Sequence, residues 1–190
     1  NSNVYDVKES DKNKEEFNQL MKTAILCNDT KILNDVDGRK LIGDPTETAL
    51  VDLAYDFEVD KLNLDAQMAR IGEVPFDSDR KLMTTINKEN DSIFVYTKGA
   101  VDELLKRCNH ISLNGSTRLI TDDDISYILR YNEQMANEAL RVLGFAYKKI
   151  DSIPEKVDEN TIENDLVFVG MVGMIDPPRP EVKDAVAKCK

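Results

Sequence analysis

The segment from Tyr96 to Glu103 places a basic side chain at the junction of two predicted secondary-structure elements. Residues 93–97 have the composition of a strand, Lys98 follows them, and a Gly-Ala pair then leads into a helix. An ammonium group and the free N–H groups of a helix start both attract anions, so this corner is predicted to bind phosphate. Lys-Gly-Ala alone is a weak signal, because any strand-to-helix turn can contain it.

A second candidate is an aromatic ring followed by a charged turn. Phe76 lies at the end of a predicted strand, and Lys81 follows shortly after it. An exposed ring at such a position can stack on a purine, which contributes about 1–3 kcal/mol per base. Lys81 could then reach a phosphate. The alternative is a core phenylalanine followed by a solvated turn.

Two further segments have both a structural and a binding interpretation. Glu47 follows the helix start at Asp44 and Pro45, where it can cap the helix or accept a hydrogen bond from an adenine amino group. Arg141 is predicted to end a long helix, where its charge would complement the helix dipole. Alternatively, Arg141 faces a phosphate and Leu143 lines a base pocket.

Other kinds of chemistry find little support in the sequence. The single histidine, His110, is predicted on a polar loop without a second metal ligand at useful spacing, so we expect no metal site and no Ser-His-Asp triad. Residues 35–38 resemble part of a calcium loop, but Leu33 would occupy the first ligand position. Neither the P-loop nor the Rossmann glycine pattern occurs.

Composition limits the possible partners. The chain has 190 residues and a formal net charge of −11, which disfavours nucleic acid. Its three cysteines are far apart, which predicts a reducing compartment without disulfides. The longest apolar run, Leu166 to Ile175, is shorter than the roughly 20 residues that span a bilayer. No signal peptide is evident, so we expect the chain as given to be soluble.

The order of elements predicts an α+β fold with a twisted antiparallel sheet flanked by helices. Apolar spacing and capping residues predict helices over 16–27, 44–57, 64–70, 101–108 and 121–143 and from Glu181 onward. Strands are predicted over 71–76, 82–87, 93–97, 144–150 and 166–175. A turn is predicted over 34–38 and a polar break over 87–92.

Five segments resemble P-type cation-transporting ATPases of type II, the calcium-pump-like subgroup, and occur in the same order. They are Gly43–Leu50, Pro75–Phe76 with Asp79–Met83, Thr97–Ala100, Arg141–Leu143 and Gly170–Arg179. The resemblance implies that residues 1–174 form the nucleotide-binding domain of such a pump. Residues 175–190 would be the hinge and the start of a truncated phosphorylation domain.

The resemblance also implies a nucleotide site made of seven residues: Glu47, Phe76, Lys81, Lys98, Gly99, Arg141 and Leu143. The ring would stack on adenine, the glutamate would contact the adenine side, and the lysine at 98 would lie deep in the pocket. The glycine at 99 would allow close approach, and the leucine would line the pocket. Lys81 and Arg141 would help to hold the phosphates.

One position departs from the family pattern. Some calcium pumps have an arginine where this chain has Ser78. The triphosphate would therefore be held more loosely here, or by Arg80.

The ligand implied by the resemblance is ATP, with Mg²⁺ carried by the nucleotide. The implied partners are the phosphorylation and actuator domains of a parent pump, with calcium as the expected ion and with no nucleic acid or direct membrane contact. The chain would be a cytoplasmic domain of an integral membrane protein. It contains no Asp-Lys-Thr-Gly-Thr motif and no Thr-Gly-Glu motif, so we expect it to bind ATP without completing the reaction cycle of the parent ATPase. The alternative is a non-enzymatic protein-interaction module on the same scaffold.

Overall fold

A computed structural model describes residues 15–35 and 38–175 of the chain. Residues 176–190, which contain most of the predicted hinge, Cys189 and the helix predicted from Glu181, lie outside the described residues. Two residues of the turn predicted over 34–38 also lie outside them.

Six helices and nine strands make up the described part of the chain. The helices are α1 (Glu15–Leu26), α2 (Pro45–Asp56), α3 (Lys61–Gln67), α4 (Val101–Leu105), α5 (Asp122–Asn137) and α6 (Glu159–Ile162). The strands are β1 (Lys31–Asp35), β2 (Gly38–Ile42), β3 (Ala69–Asp77), β4 (Leu82–Glu89), β5 (Ser92–Gly99), β6 (Cys108–Leu113), β7 (Ser116–Leu119), β8 (Leu140–Ile150) and β9 (Leu166–Ile175). None of these helices is both long and apolar enough to cross a bilayer.

Seven of the strands form one sheet in the order β3-β4-β5-β8-β9-β6-β7, and β1 pairs with β2 separately. The predicted α+β class, a sheet flanked by helices, is confirmed. The sheet is antiparallel except at β6 and β9, which run parallel. The predicted antiparallel sheet is therefore a mixed sheet, with one parallel pair among antiparallel neighbours. A parallel pair needs a long crossover, and here the chain between β6 and β9 includes α5 and β8.

Helices pack on both faces of the large sheet, and side-chain alternation along the strands divides the core between them. Leu82 and Ile86 of β4 belong to the cluster that includes residues of α4 and α5. Met83 of the same strand and Tyr96 of β5 belong to a second cluster, which includes the end of α1. Neighbouring side chains of β4 therefore pack into different core clusters, one on each face of the sheet.

The long helix α5 begins as predicted, but it ends at Asn137. Thr121 and Asp124 form a capping box at its start. Ala139 has φ of 59°, a left-handed conformation that a right-handed helix cannot include. The residues after it, 140–143, therefore begin β8, and their predicted helical assignment was wrong.

The helix predicted over 101–108 is also shorter, because α4 ends at Leu105 and Cys108 starts β6. His110 lies in that strand and not on the predicted loop. The helix predicted over 64–70 begins earlier, because Asp60 caps it by accepting hydrogen bonds from two backbone N–H groups.

The polar break predicted over 87–92 is mostly strand, and only residues 90–91 form the turn. Strands β1, β2, β6 and β7 were missed, since they are short and carry weak apolar alternation.

Candidate functional site

A cavity of about 520 Å³ opens where the N-terminus of α2 meets the ends of β3, β5 and β8. Its volume is within the range of about 300–1,000 Å³ that is usual for ligand pockets. The lining residues are Asp29, Asp44, Thr46, Glu47, Phe76, Lys81, Met83, Lys98, Gly99, Ala100, Arg141, Val142 and Leu143. All seven residues of the predicted nucleotide site are among them.

The aromatic ring of the cavity lies at the end of β3. Phe76 is 63% exposed, so its interpretation as a core residue was wrong. The turn that follows is held by Asp77 Oδ1, which accepts hydrogen bonds from the backbone N–H groups of Asp79 and Arg80 at 3.0 and 2.9 Å. Lys81 completes the turn with φ of 58°. A ring and an ammonium group are thus presented at the two ends of one short turn.

Lys98 and Glu47 form an ion pair in the cavity wall, between Lys98 Nζ and Glu47 Oε1. Their side chains are only 8% and 13% exposed. The Glu47 carboxylate also accepts a hydrogen bond from the backbone N–H of Asp29 at 3.0 Å. It therefore binds groups outside α2, whereas Asp44 caps that helix by accepting from Thr46 N–H at 2.8 Å.

Residues 28 and 29, which contact Glu47, are bound in turn by Arg70 of β3. Arg70 Nη1 lies 2.6 Å from Asp29 Oδ1, and Arg70 Nη2 donates to the carbonyl of Asn28 at 2.9 Å. Asn28 Nδ2 in turn donates to the Glu47 carbonyl at 3.0 Å. The segment that contacts the Glu47 carboxylate is thus tied by hydrogen bonds both to β3 and to α2.

Arg141 lies in β8, so the proposal that it complements the dipole of a preceding helix was wrong. Its Nη1 donates to Thr46 Oγ1 at 2.7 Å and so joins β8 to the first turn of α2. Partial burial opposes ionisation of Asp44, but hydrogen bonds from Thr46 and the charge of Arg141 keep the pKa of Asp44 below its usual value.

Gly99 is required for a close backbone approach. Its φ is +155°, and a Cβ atom at this position would lie 2.1 Å from the carbonyl oxygen of Lys81. The N–H of Ala100 donates to the same oxygen at 3.1 Å. The glycine thus lets the end of β5 pack directly on the turn that carries Lys81.

The charges of the cavity are not equally available to a ligand. Lys98 is already paired, whereas Lys81 is exposed and makes no ion pair with any described residue. The helix start after Ala100 should attract an anion less strongly than the sequence predicts. The helix α4 has only five residues, and the carboxylates of Asp102 and Glu103 lie in its first turn. The Lys81 ammonium is therefore better placed than that helix start to attract an anion.

The sequence of the chain matches the profile of a known protein family. Residues 16–181 match the sequence profile described as "P-type ATPase, cytoplasmic domain N". The chain belongs to this family. The N-domain resemblance of the five sequence segments is thereby confirmed.

Named relatives of this N domain are cation pumps. It is 45% identical over 171 residues to "Calcium-transporting ATPase 1" of Bacillus cereus, an alignment that covers 90% of this chain and 19% of that protein. It is 37% identical over 174 residues to "Calcium-transporting ATPase lmo0841" of Listeria monocytogenes, again with 90% and 19% covered. The "Sodium/potassium exporting P-type ATPase cta3" of Schizosaccharomyces pombe is 37% identical over 179 residues, which cover 92% of this chain and 17% of that protein. The N domain thus spans about a fifth of the length of these relatives.

Sequence reasoning missed several residues that line the cavity of the N domain, notably Asp29, Thr46, Met83 and Val142. The alternation of β4 could have indicated Met83, and the position of Thr46 next to Pro45 could have indicated a residue of the helix start. No local signal marks Asp29, since Arg70, which holds it, is distant in sequence.

Arg80, the alternative phosphate ligand, is not in the cavity lining. Its side chain is 9% exposed and pairs with the buried Glu163. Within residues 15–35 and 38–175, no three His, Cys, Asp or Glu side chains are grouped to hold a metal ion.

Proposed function

We propose that this N domain binds ATP in the cavity between α2 and the ends of β3, β5 and β8, and delivers it to the phosphorylation domain of a cation pump. The observation that carries the proposal is the Phe76 ring, which is left exposed in the wall of a cavity that also contains Lys81, a lysine that forms no ion pair with any described residue. Exposed aromatic rings are the usual stacking platforms for bases.

Adenine is the group that best fits the apolar part of the cavity. Phe76, Met83 and Leu143 supply apolar surface there, and Phe76 would stack on the base. Glu47 would accept a hydrogen bond from the exocyclic amino group, because a carboxylate oxygen that already binds Lys98 or the Asp29 N–H still has a second lone pair. Guanine offers a carbonyl oxygen at the corresponding place, which a carboxylate would repel.

The phosphates would lie toward Lys81 and Arg141, which line the cavity from the turn after β3 and from β8. Mg²⁺ would enter with the nucleotide, where it neutralises phosphate charge. Ser78 supplies no cation next to Phe76, and Arg80 pairs with Glu163. We therefore expect weak binding of the triphosphate. A dissociation constant near 1 mM corresponds to about 4 kcal/mol, of which base stacking can supply a large part.

Calorimetric titration of the 190-residue chain with ATP, ADP and GTP tests the proposal. We expect heat and saturation at millimolar ATP and ADP, and much weaker binding of GTP. Absence of binding by ATP, or equal binding by GTP, would contradict it.

Calcium is the ion that we propose for the parent pump, because two of the relatives are named as calcium-transporting ATPases. ATP-driven uptake of calcium, compared with sodium, into vesicles that contain the whole pump tests this part separately.

A further inference from the structure

Glu163 is a carboxylate without any exposed side-chain surface, located just before β9. Its Oε1 accepts hydrogen bonds from Arg80 Nη1 and, at 2.6 Å, from Thr84 Oγ1. Its Oε2 lies 3.6 Å from Arg107 Nε and has no hydrogen-bond partner among the described residues. Burying a carboxylate is costly unless cations and donors compensate, so its partners are required for its position.

The network around Glu163 lies on the face of the sheet opposite the cavity. Thr84 Oγ1 contacts Thr97 Oγ1 at 2.9 Å, and these two residues alternate along β4 and β5 with Met83 and Lys98, which line the cavity. Glu163 therefore cannot touch a ligand in the cavity directly.

Arg80 connects this buried network to the cavity. One guanidinium nitrogen binds Glu163, and the other, Nη2, donates to the carbonyl oxygen of Pro75 at 2.6 Å. Pro75 immediately precedes Phe76, and Arg80 immediately precedes Lys81. The guanidinium of Arg80 thus links the start of the segment 75–81 to its end. It thereby holds the backbone next to Phe76 and next to Lys81.

We propose that Glu163 is a positioning residue for nucleotide binding, which acts through Arg80 to hold the segment 75–81 in the conformation that presents Phe76 and Lys81. This inference rests on the proposed ATP-binding function. Arg107 serves as the internal comparison, because it also faces the Glu163 carboxylate but makes no hydrogen bond to the segment 75–81 within the described residues.

The first test uses hydrogen–deuterium exchange of the 190-residue chain without nucleotide. In Arg80→Gln, we expect the Lys81 amide, which donates to the Asp77 carbonyl, to exchange about tenfold faster. In Arg107→Gln, we expect no change at this amide, although both variants remove a cation from Glu163. Equal effects of the two variants at the turn would overturn the inference.

The second test measures ATP affinity of the same proteins. We expect the dissociation constant to rise about tenfold in Arg80→Gln and to stay within about twofold of wild type in Arg107→Gln. A purely structural role would lower the melting temperature without this selective loss of affinity. Arg80→Leu/Glu163→Leu removes both charges of the Arg80–Glu163 pair and leaves only the more exposed Arg107 without its carboxylate, so neither buried member of the pair is left alone, and we expect the same faster exchange at Lys81.

The outcomes separate this inference from the proposed function. A wild-type chain that binds no ATP would overturn the proposed function and, with it, the role of Glu163 in binding. A wild-type chain that binds ATP, with unchanged turn exchange and affinity in Arg80→Gln, would overturn the inference alone.

Discussion

Lys98 of β5 and Glu47 of α2 form an ion pair across 51 positions of the sequence, and both side chains are largely buried in the cavity wall. The pair joins the sheet to the helix that closes the cavity. Glu47 is also the proposed contact for adenine, and both side chains line the cavity. The same two side chains therefore join two elements of the fold and line the proposed ligand site of this N domain.

Removing either charge of this pair should destabilise the domain more than removing both. Lys98→Met leaves the Glu47 carboxylate in the wall without its cation, and we expect a loss of about 2–4 kcal/mol in the free energy of unfolding. The double variant Lys98→Met/Glu47→Gln should recover part of this loss. Urea denaturation of the wild type, both single variants and the double variant measures the coupling. Additive effects would show that the two groups do not interact.

Replacing the exposed ring should affect binding but not folding. Phe76→Ala removes little buried surface, so we expect the melting temperature without nucleotide to stay nearly unchanged. Its affinity for ATP should fall by about 5- to 150-fold, the factor that corresponds to a stacking contribution of about 1–3 kcal/mol. Titration calorimetry measures this change. Leu119→Ala, an exposed apolar residue of the edge strand β7, is the matched control and should bind ATP like the wild type.

A methyl group at position 99 should be poorly tolerated. Gly99→Ala places a Cβ against the Lys81 carbonyl, and we expect a loss of more than about 2 kcal/mol in the free energy of unfolding. Gly115→Ala provides the comparison, because Gly115 also has a positive φ but a Cβ there would make only an ordinary van der Waals contact, 3.7 Å from Glu15 Oε2. We expect a cost there of about 1 kcal/mol, from the backbone conformation alone. Thermal unfolding of the two variants separates the collision from the conformational cost, and equal losses would argue against the close approach.

Charge on Asp44 should stabilise the domain in a pH-dependent way. Because the pKa of Asp44 is lower in the folded state than in the unfolded chain, its charge contributes stability that is complete above the unfolded value of about 3.9. This contribution is lost as the pH falls through the lower folded value. Asp44→Asn keeps a side chain that can cap α2 but has no charge, so it should be less stable than the wild type at pH 7, and this difference in stability should shrink as the pH is lowered to 2.5. Denaturation at both pH values measures this. The same substitution at Asp60, the cap of α3 outside the cavity, controls at pH 7 for general effects of replacing a capping aspartate, and equal stability of Asp44→Asn and the wild type at pH 7 would contradict the prediction.

Much of the fold followed from short-range sequence signals. Asp44 with Pro45 and Thr121 with Asp124 marked two helix starts where the structure has them, because caps act within one turn of helix. The central strands were found because they combine strand-forming residues with sharp polar turns. Helix ends were less predictable. Ala139 terminates α5 in a left-handed conformation that its side chain does not favour, so nothing in the local sequence indicates it.

The sequence by itself determined which residue types are available for binding and in what order they occur: the ring at 76, the amines at 81 and 98, the carboxylate at 47 and the apolar residue at 143. It also determined the main helix starts and the α+β class. Only the tertiary structure decided that Lys98 pairs with Glu47, that Arg80 turns away from the cavity to Glu163, and that Arg141 lies on a strand. Caps and alternation depend on neighbours a few residues away. Ion pairs and strand neighbours depend on which distant segments the packed core brings together.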